Sequence, residues 1–361
     1  MEGTVGPCRP LVKSAMTPQG GGQPSLAWRS CPGLTAIRAV ADPLSPGLLW
    51  GAMRICVTGG AGFIGSHLVD RFITDGHDVV ALDDLSSGVR SQVNPRARLV
   101  VADIRRPEAA AAVMAFAPEV VCHHAAQMDV RKSVAVPAFD ADVNLVGLLN
   151  VMEAARSAGA LQHVLFASSG GAMYGEQETF PATESHPTRP ESPYGLAKAV
   201  SEQYLDWYRR FYQVPYTALR YGNVYGPRQN PHGEAGVVAI FCQRILDKKP
   251  LTIFGDGGQT RDYVFVGDVV AANALALEQR LVGGFNVGTG QETDVNQLAS
   301  ALLAAADAPV PVNHEAARPG EQRRSVIDPG KLSARGWKPS VTVAEGLART
   351  YRWFAEQRSK A

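Results

Sequence analysis

After residue 52 the chain alternates short apolar runs with longer stretches of helical period. Arg54-Ile-Cys-Val-Thr58, Asp78-Val-Val-Ala-Leu82, Arg98-Leu-Val-Val-Ala102, Val120-Val-Cys-His-His124 and Leu161-Gln-His-Val-Leu-Phe-Ala167 read as buried strands. Helical segments separate them. That alternation predicts an α/β fold, a doubly wound parallel sheet of the Rossmann kind, with a smaller C-terminal α/β part. A further helix is predicted to open at Tyr194, with Ser192-Pro193 as its start. Residues 1–52 keep neither period. They carry Gly/Pro clusters such as Pro18-Gln-Gly-Gly-Gly-Gln-Pro24, so they read as a disordered extension or as sequence before a true start at Met53.

Composition narrows the classes. The 361 residues are 45% hydrophobic and 19% charged, ordinary for a globular protein. Lys+Arg 35 against Asp+Glu 34 leaves a net charge of +1, which offers no bulk attraction to nucleic acid or anionic membranes. No apolar run reaches the ~18–20 residues that span a bilayer. Five cysteines, Cys8, Cys31, Cys56, Cys122 and Cys242, form no CxxC pair. Reduced thiols in a cytoplasm and no metal site are therefore expected.

The first strand runs into Gly59-Gly-Ala-Gly62-Phe-Ile-Gly65, a G-x-x-G-x-x-G turn leading to a helix. Gly59 and Gly62 permit a tight turn and close backbone approach to a pyrophosphate, and Gly65 lets the helix pack on its strand. Asp83 ends the second strand 24 residues after Gly59, near the offset at which an acid takes an adenosine ribose, and it favours NAD. Asp103-Ile104 at the third strand's end suits an adenine, and Ala125-Ala126 at the fourth leave room for a cofactor. The fifth strand ends in Ser168-Ser169, and Tyr194 and Lys198 stand four apart on one helix face. A lysine there stabilises a phenolate, so Tyr194 is expected to have a lowered pKa and to act as a base, with a serine hydroxyl beside it. His67, His123 and His124 are expected to be structural. Arg131 is open between a substrate-facing and a surface role. The aromatic cluster Trp207, Tyr208, Phe211 and Tyr212 reads as a packing or dimer face.

These pieces occur with DIR at 103–105, HHAA at 123–126, SSGGAMYG at 168–175, YGLAK at 194–198, LRYGNVYGPRQ at 219–229, TIFGDGGQTRDYVFVGDV at 252–269, FNVGTG at 285–290 and RPGE at 318–321. In that order, from Met53 to about Phe354, the chain resembles the extended short-chain dehydrogenase/reductases, in the NAD-dependent epimerase/dehydratase family, of the UDP-glucose 4-epimerase type. The resemblance implies a homodimeric isomerase that interconverts UDP-hexoses through a transient 4-keto sugar. A UDP-uronate or UDP-N-acetylhexosamine epimerase and a non-catalytic NAD-binding regulator are the alternatives. It also implies NAD contacts at Phe63, Ile64, Asp84, Gln127 and Asn144 besides those above, and nucleotide-sugar contacts at Asn223, Ile253, Phe254, Arg261, Arg318 and Glu321. Ser325 falls where such enzymes shape the space beside the sugar's C2. Residues 53–220 with about 262–290 would form the NAD-binding part, and 221–261 with 291–361 the sugar-nucleotide part.

Two departures mark this chain. Gly170 stands where many such epimerases carry a serine, so Ser169, with Ser168 next to it, is expected to assist Tyr194. Gly170 and Gly171 also replace the acidic pair of related dehydratases, which argues against expulsion of water.

Overall fold

The computed structural model describes residues 51–232, 236–318 and 322–360. The extension expected over 1–52 thus lies outside the described residues, apart from Gly51 and Ala52. Seven parallel strands form the central sheet: β1 (Arg54–Thr58), β2 (Asp78–Asp83), β3 (Arg98–Val101), β4 (Val120–His123), β5 (His163–Ser169), β6 (Tyr216–Tyr221) and β7 (Gly283–Val287), in the order 3-2-1-4-5-6-7. The order reverses at β1/β4, the switch point at which open α/β sheets bind ligands. β1 and β4 are buried over nearly every residue, as strands covered on both faces must be.

The helices before β6 are α1 (Phe63–Thr74), α2 (Pro107–Phe116), α3 (Val130–Ala135), α4 (Pro137–Ala141), α5 (Gly147–Ser157), the single turn α6 (Gly170–Met173) and α7 (Pro193–Tyr212). One π-helical turn, Asp142–Val146, joins α4 to α5. Helix α7 starts where the sequence predicts. Ser192 caps it by accepting the Gly195 N–H at 3.1 Å, and Pro193 supplies the fixed φ of a first turn.

Two apolar clusters matter for the site. One gathers Ile55, Val57, Leu68, Phe72 and Val79 with Leu219 and Val287 around the sheet. Another joins Tyr225, Phe241, Leu251, Ile253, Leu298, Leu347 and Phe354, the packing of the C-terminal part. That part carries small sheets: Leu251–Phe254 pairs with Val312–Glu315, and Thr260–Arg261 lies between Thr293–Asp294 and Arg324–Ser325. No helix among the described residues is long and apolar enough to cross a membrane.

Candidate active site

A cleft of about 2250 Å³ opens over the carboxyl ends of the sheet strands and runs across to the C-terminal part. It is large enough for a dinucleotide and a sugar nucleotide together. Every site residue expected from the sequence lines it, except Asn144 and Ser325, which lie behind its wall, and Glu321, which falls outside the described residues.

The glycine turn is forced rather than merely permitted. Gly59 has φ +67°, and a Cβ there would stand 2.7 Å from the Ala125 backbone nitrogen. At Gly65 a Cβ would meet the Gly59 carbonyl oxygen at 2.0 Å, so the helix can approach its strand only without a side chain. No side chain caps α1 and no acid stands in its first turn. Its first N–H groups and positive dipole therefore face the cleft beside Phe63 and Ile64. That arrangement fits a pyrophosphate.

Asp83 closes the turn. Its Oδ2 accepts the Ala61 N–H at 2.9 Å and its Oδ1 the Leu85 N–H at 2.8 Å. Burial raises its pKa, and these hydrogen bonds oppose the rise. The carboxylate keeps further lone pairs for ribose hydroxyls. Asp84 bonds the Ser86 N–H at 2.9 Å, and Asp103 is held by Arg105 at 2.6 Å, which depresses its pKa.

At the other end, Lys198 donates to the Ala167 carbonyl at 2.8 Å, and its ammonium lies 5.7 Å from the centre of the Tyr194 ring. Burial lowers Lys198 to about 8, against the opposing charges of Asp140 and Glu202. Burial pushes Tyr194 up to about 12, and the charge of Asp140 adds to the rise, while a hydrogen bond with the Ser169 side chain opposes it. The expected lowering of the phenol thus does not follow from the chain's own groups: desolvation by burial dominates.

The two serines part company here. Ser169 meets Tyr194 and also accepts the Ala172 N–H at 3.2 Å as the cap of α6. Ser168 is 3% exposed and donates to Glu202 at 2.6 Å, so its hydroxyl is occupied inside the protein. Gly170 cannot carry the serine of related enzymes without adjustment, because a Cβ there would meet Ile327 side-chain carbons at 3.0 Å.

Asn144 is buried against Gln127. It accepts the Gln127 N–H at 2.9 Å and donates to the Gln127 carbonyl at 2.9 Å and to Asp140 at 3.0 Å. It thereby ties the π-helical turn to the loop after β4 that carries the cleft-lining Gln127. Ser325 is also 3% exposed, although its Oγ lies 3.9 Å from the place of a Cβ at cleft-lining Gly171. Arg318 stacks its guanidinium 3.8 Å over the Phe254 ring. His123 and His124 hold structural posts, to Thr58 at 3.0 Å and to Tyr221 at 3.0 Å, and burial lowers both to about 3.

Several residues of the site are not singled out by the sequence, although Arg220, Tyr174 and Asn286 stand within its motifs. Glu202 and Arg220 form a buried pair at 2.7 Å below the serines, and Tyr174 and Asn286 extend it. Asp140 lies behind Gln127. Trp353, Gln357 and Arg358 reach the cleft from the C-terminal helix Val343–Lys360. Among the described residues no group of three or more His, Cys, Asp or Glu could hold a metal.

Residues 55–288 match the family described as NAD dependent epimerase/dehydratase family. A UDP-glucose 4-epimerase of Mycolicibacterium smegmatis is 46% identical over 311 residues, 84% of this chain and 98% of that one. A UDP-glucose 4-epimerase of Thermotoga maritima, solved with UDP-glucose, superposes with TM-score 0.81 at 45% identity over 85% of this chain and 100% of its own. The UDP-glucose 4-epimerase of Thermus thermophilus, solved in complex with NAD, gives TM-score 0.81 at 46% identity over 84% of this chain and 99% of its own. With this fold, this cleft and those relatives, the chain belongs to the NAD-dependent epimerase/dehydratase family.

Proposed function

We propose that the protein is a UDP-hexose 4-epimerase of the UDP-glucose/UDP-galactose type, with NAD as its cofactor. The observation that carries this reading is the convergence of Tyr194, Lys198 and Ser169 on one wall of the cleft, in a chain 45–46% identical to UDP-glucose 4-epimerases over most of its length.

The uncapped start of α1 would hold the pyrophosphate, Asp83 the ribose and Asp103-Ile104 the adenine, with Ala125, Ala126 and Gln127 beside the nicotinamide. Bound NAD supplies reversible hydride acceptance at the sugar's C4. Tyr194 takes the C4 hydroxyl proton, and Ser169 holds the same oxygen. Lys198 supplies the positive charge that a phenolate needs. The 4-keto sugar turns about its diphosphate linkage and presents its other face, and Tyr194 returns the proton to the inverted alcohol. Arg261 and Arg318 would grip the diphosphate with planar, permanently charged forks, and Ile253 and Phe254 the uracil. Asn223 would contact the sugar. Residues 53–220 with about 262–290 would serve the dinucleotide, and 221–261 with 291–361 the sugar nucleotide.

The small Ser325 and side-chain-free Gly171 lie together near Asn223, which favours tolerance of an N-acetyl group at C2 as a second substrate type. Exposed apolar residues on α7, Leu196, Phe211 and Tyr212, suit a homodimer face. The buried free thiols Cys56, Cys122 and Cys242 suit a cytoplasmic protein. Incubating purified protein with a panel of UDP-hexoses, UDP-hexosamines and UDP-uronates, without added NAD, tests the reading. Interconversion of C4 epimers supports it. A stoichiometric demand for NAD would indicate a dehydrogenase, and inertness a regulator.

A further inference from the structure

Asp140 sits in α4 with 1% of its surface exposed. Its two carboxylate oxygens are used unequally. Oδ1 accepts from Gln127 Nε2 and from Asn144 Nδ2, both at 3.0 Å. Oδ2 is buried and has no partner among the protein atoms described. An unpartnered buried carboxylate oxygen is disfavoured, so its retention calls for a cause. Helix α4 packs directly on α7, which carries Tyr194 and Lys198.

Other charged groups surround α4 and α7. On α7, Glu202 is paired with Arg220 at 2.7 Å and accepts from Ser168. On the π-helical turn, Asp142 pairs with Arg105 at 3.1 Å. On α3, Lys132 lies 4.4 Å over the Phe139 ring, Arg131 is exposed, and the preceding Asp129 accepts the Lys132 N–H. At the end of β4, His123 and His124 are kept neutral by burial and by the charge of Lys198. Of the two carboxylates whose charge acts on Lys198, Glu202 is held by Arg220 and Asp140 by Gln127 and Asn144.

We propose that Asp140 is a positioning residue of the epimerase: its buried negative charge holds Lys198 as an ammonium beside Tyr194, while its hydrogen-bonded oxygen fixes the Gln127 loop. The inference rests on the reading of Tyr194 and Lys198 as the reacting pair. The charge of Asp140 acts on both, and it favours the protonated form of each. Removing that charge therefore lowers both pKa values. Lys198 loses its proton sooner as pH rises, and the phenol gives up its proton at lower pH.

Asp140→Asn is the discriminating change. An amide oriented with its oxygen at Oδ1 keeps both hydrogen bonds and removes only the charge. Two readouts are needed on the purified holoenzyme. One is the pH profile of kcat for UDP-glucose/UDP-galactose interconversion. The other is the rate of Lys198 acylation against pH, read by peptide mass spectrometry, which needs no turnover. Relative to the parent chain, the labelling midpoint should fall by roughly half a unit, about a threefold change in ionisation ratio, and both limbs of the profile should move to lower pH. An unmoved midpoint in a folded Asp140→Asn protein overturns the proposal. Should that variant not fold, Asp140→Glu keeps the charge and should keep the midpoint near that of the parent chain, and a midpoint that falls there by roughly half a unit or more overturns the proposal equally. If Tyr194→Phe keeps its turnover, the reacting pair is misassigned, whereas the Lys198 midpoint still reports on Asp140.

Discussion

The Ser168 hydroxyl donates to the Glu202 carboxylate across 2.6 Å, inside the protein and below Tyr194. Adjacent serines at one strand end thereby have different work, since side chains alternate along a strand. Ser169→Ala should cut kcat by tenfold or more while leaving the melting temperature nearly unchanged. Ser168→Ala should do the reverse, costing about 1–3 kcal/mol of stability because Glu202 loses a donor in a buried site. Steady-state kinetics and thermal melts on the two variants check this, and the opposite pattern would exchange their roles.

Tyr194→Phe removes the proton carrier and little else. Turnover should fall about 10²–10⁴-fold or more, while NAD stays bound through the glycine turn and Asp83. Bound dinucleotide can be released by acid and quantified. Activity within a few-fold of the parent chain would sink the proton-transfer scheme.

Gly170→Ser restores the residue many related epimerases carry at this place. Here a Cβ would press on Ile327 at 3.0 Å, so overpacking should cost about 1–3 kcal/mol and bring no gain in rate. Pairing it with Ile327→Val should recover part of the stability. A faster enzyme from Gly170→Ser alone would show that position 170, not Ser169, is where a hydroxyl is wanted.

Ser325→Tyr would send a ring toward Gly171 and Asn223 from behind the cleft wall. KM for a UDP-N-acetylhexosamine should rise much more than KM for UDP-glucose, because the clash touches only the substituent at C2. Equal losses for both sugars, or no use of the N-acetyl sugar by the parent chain, would rule out this pocket.

His123 is held at about 3, well below its ordinary value near 6.5, by burial first and then by the charges of Lys198 and His124. A base depressed in the folded state is protonated first in the unfolded one. Folding stability should therefore fall as pH drops from about 6.5 toward 3, by about 1.4 kcal/mol per pH unit per such histidine. His123→Asn should flatten that acid slope, as seen in melting temperature against pH. An unchanged slope would mean that other groups set the acid limit.

The sheet is legible in the sequence because each strand is a compact apolar run closed by residues with a job: Gly59, Asp83, Asp103, Ala125 and Ser168 all stand just past or at a strand's end. The same rule places most of the cleft. What stays hidden depends on relations that no local pattern encodes. The family pattern puts Asn144 at a cofactor, and nothing in its neighbourhood announces the π-helical turn that points it at Gln127. Asp140 resembles any helix carboxylate until the packing of α4 on α7 is known. The four-residue spacing of Tyr194 and Lys198 predicts an acidified phenol, because spacing gives the partner and says nothing of desolvation. Arg358 and Trp353 reach the cleft from more than a hundred residues beyond the sheet strand that carries Ser169.

The grip of Asp83 on the Ala61 amide has a thermodynamic consequence. The chain itself, from a strand end 22 residues away, immobilises the turn that meets the pyrophosphate. Its conformational entropy is surrendered when the protein folds, so no ordering of that loop is charged against the dinucleotide when it arrives. Preorganisation of this kind favours tight binding of the occupant. In the proposed reaction a coenzyme retained by such a site would shuttle hydride in a closed cycle, insulated from the ratio of oxidised to reduced nicotinamide in its surroundings.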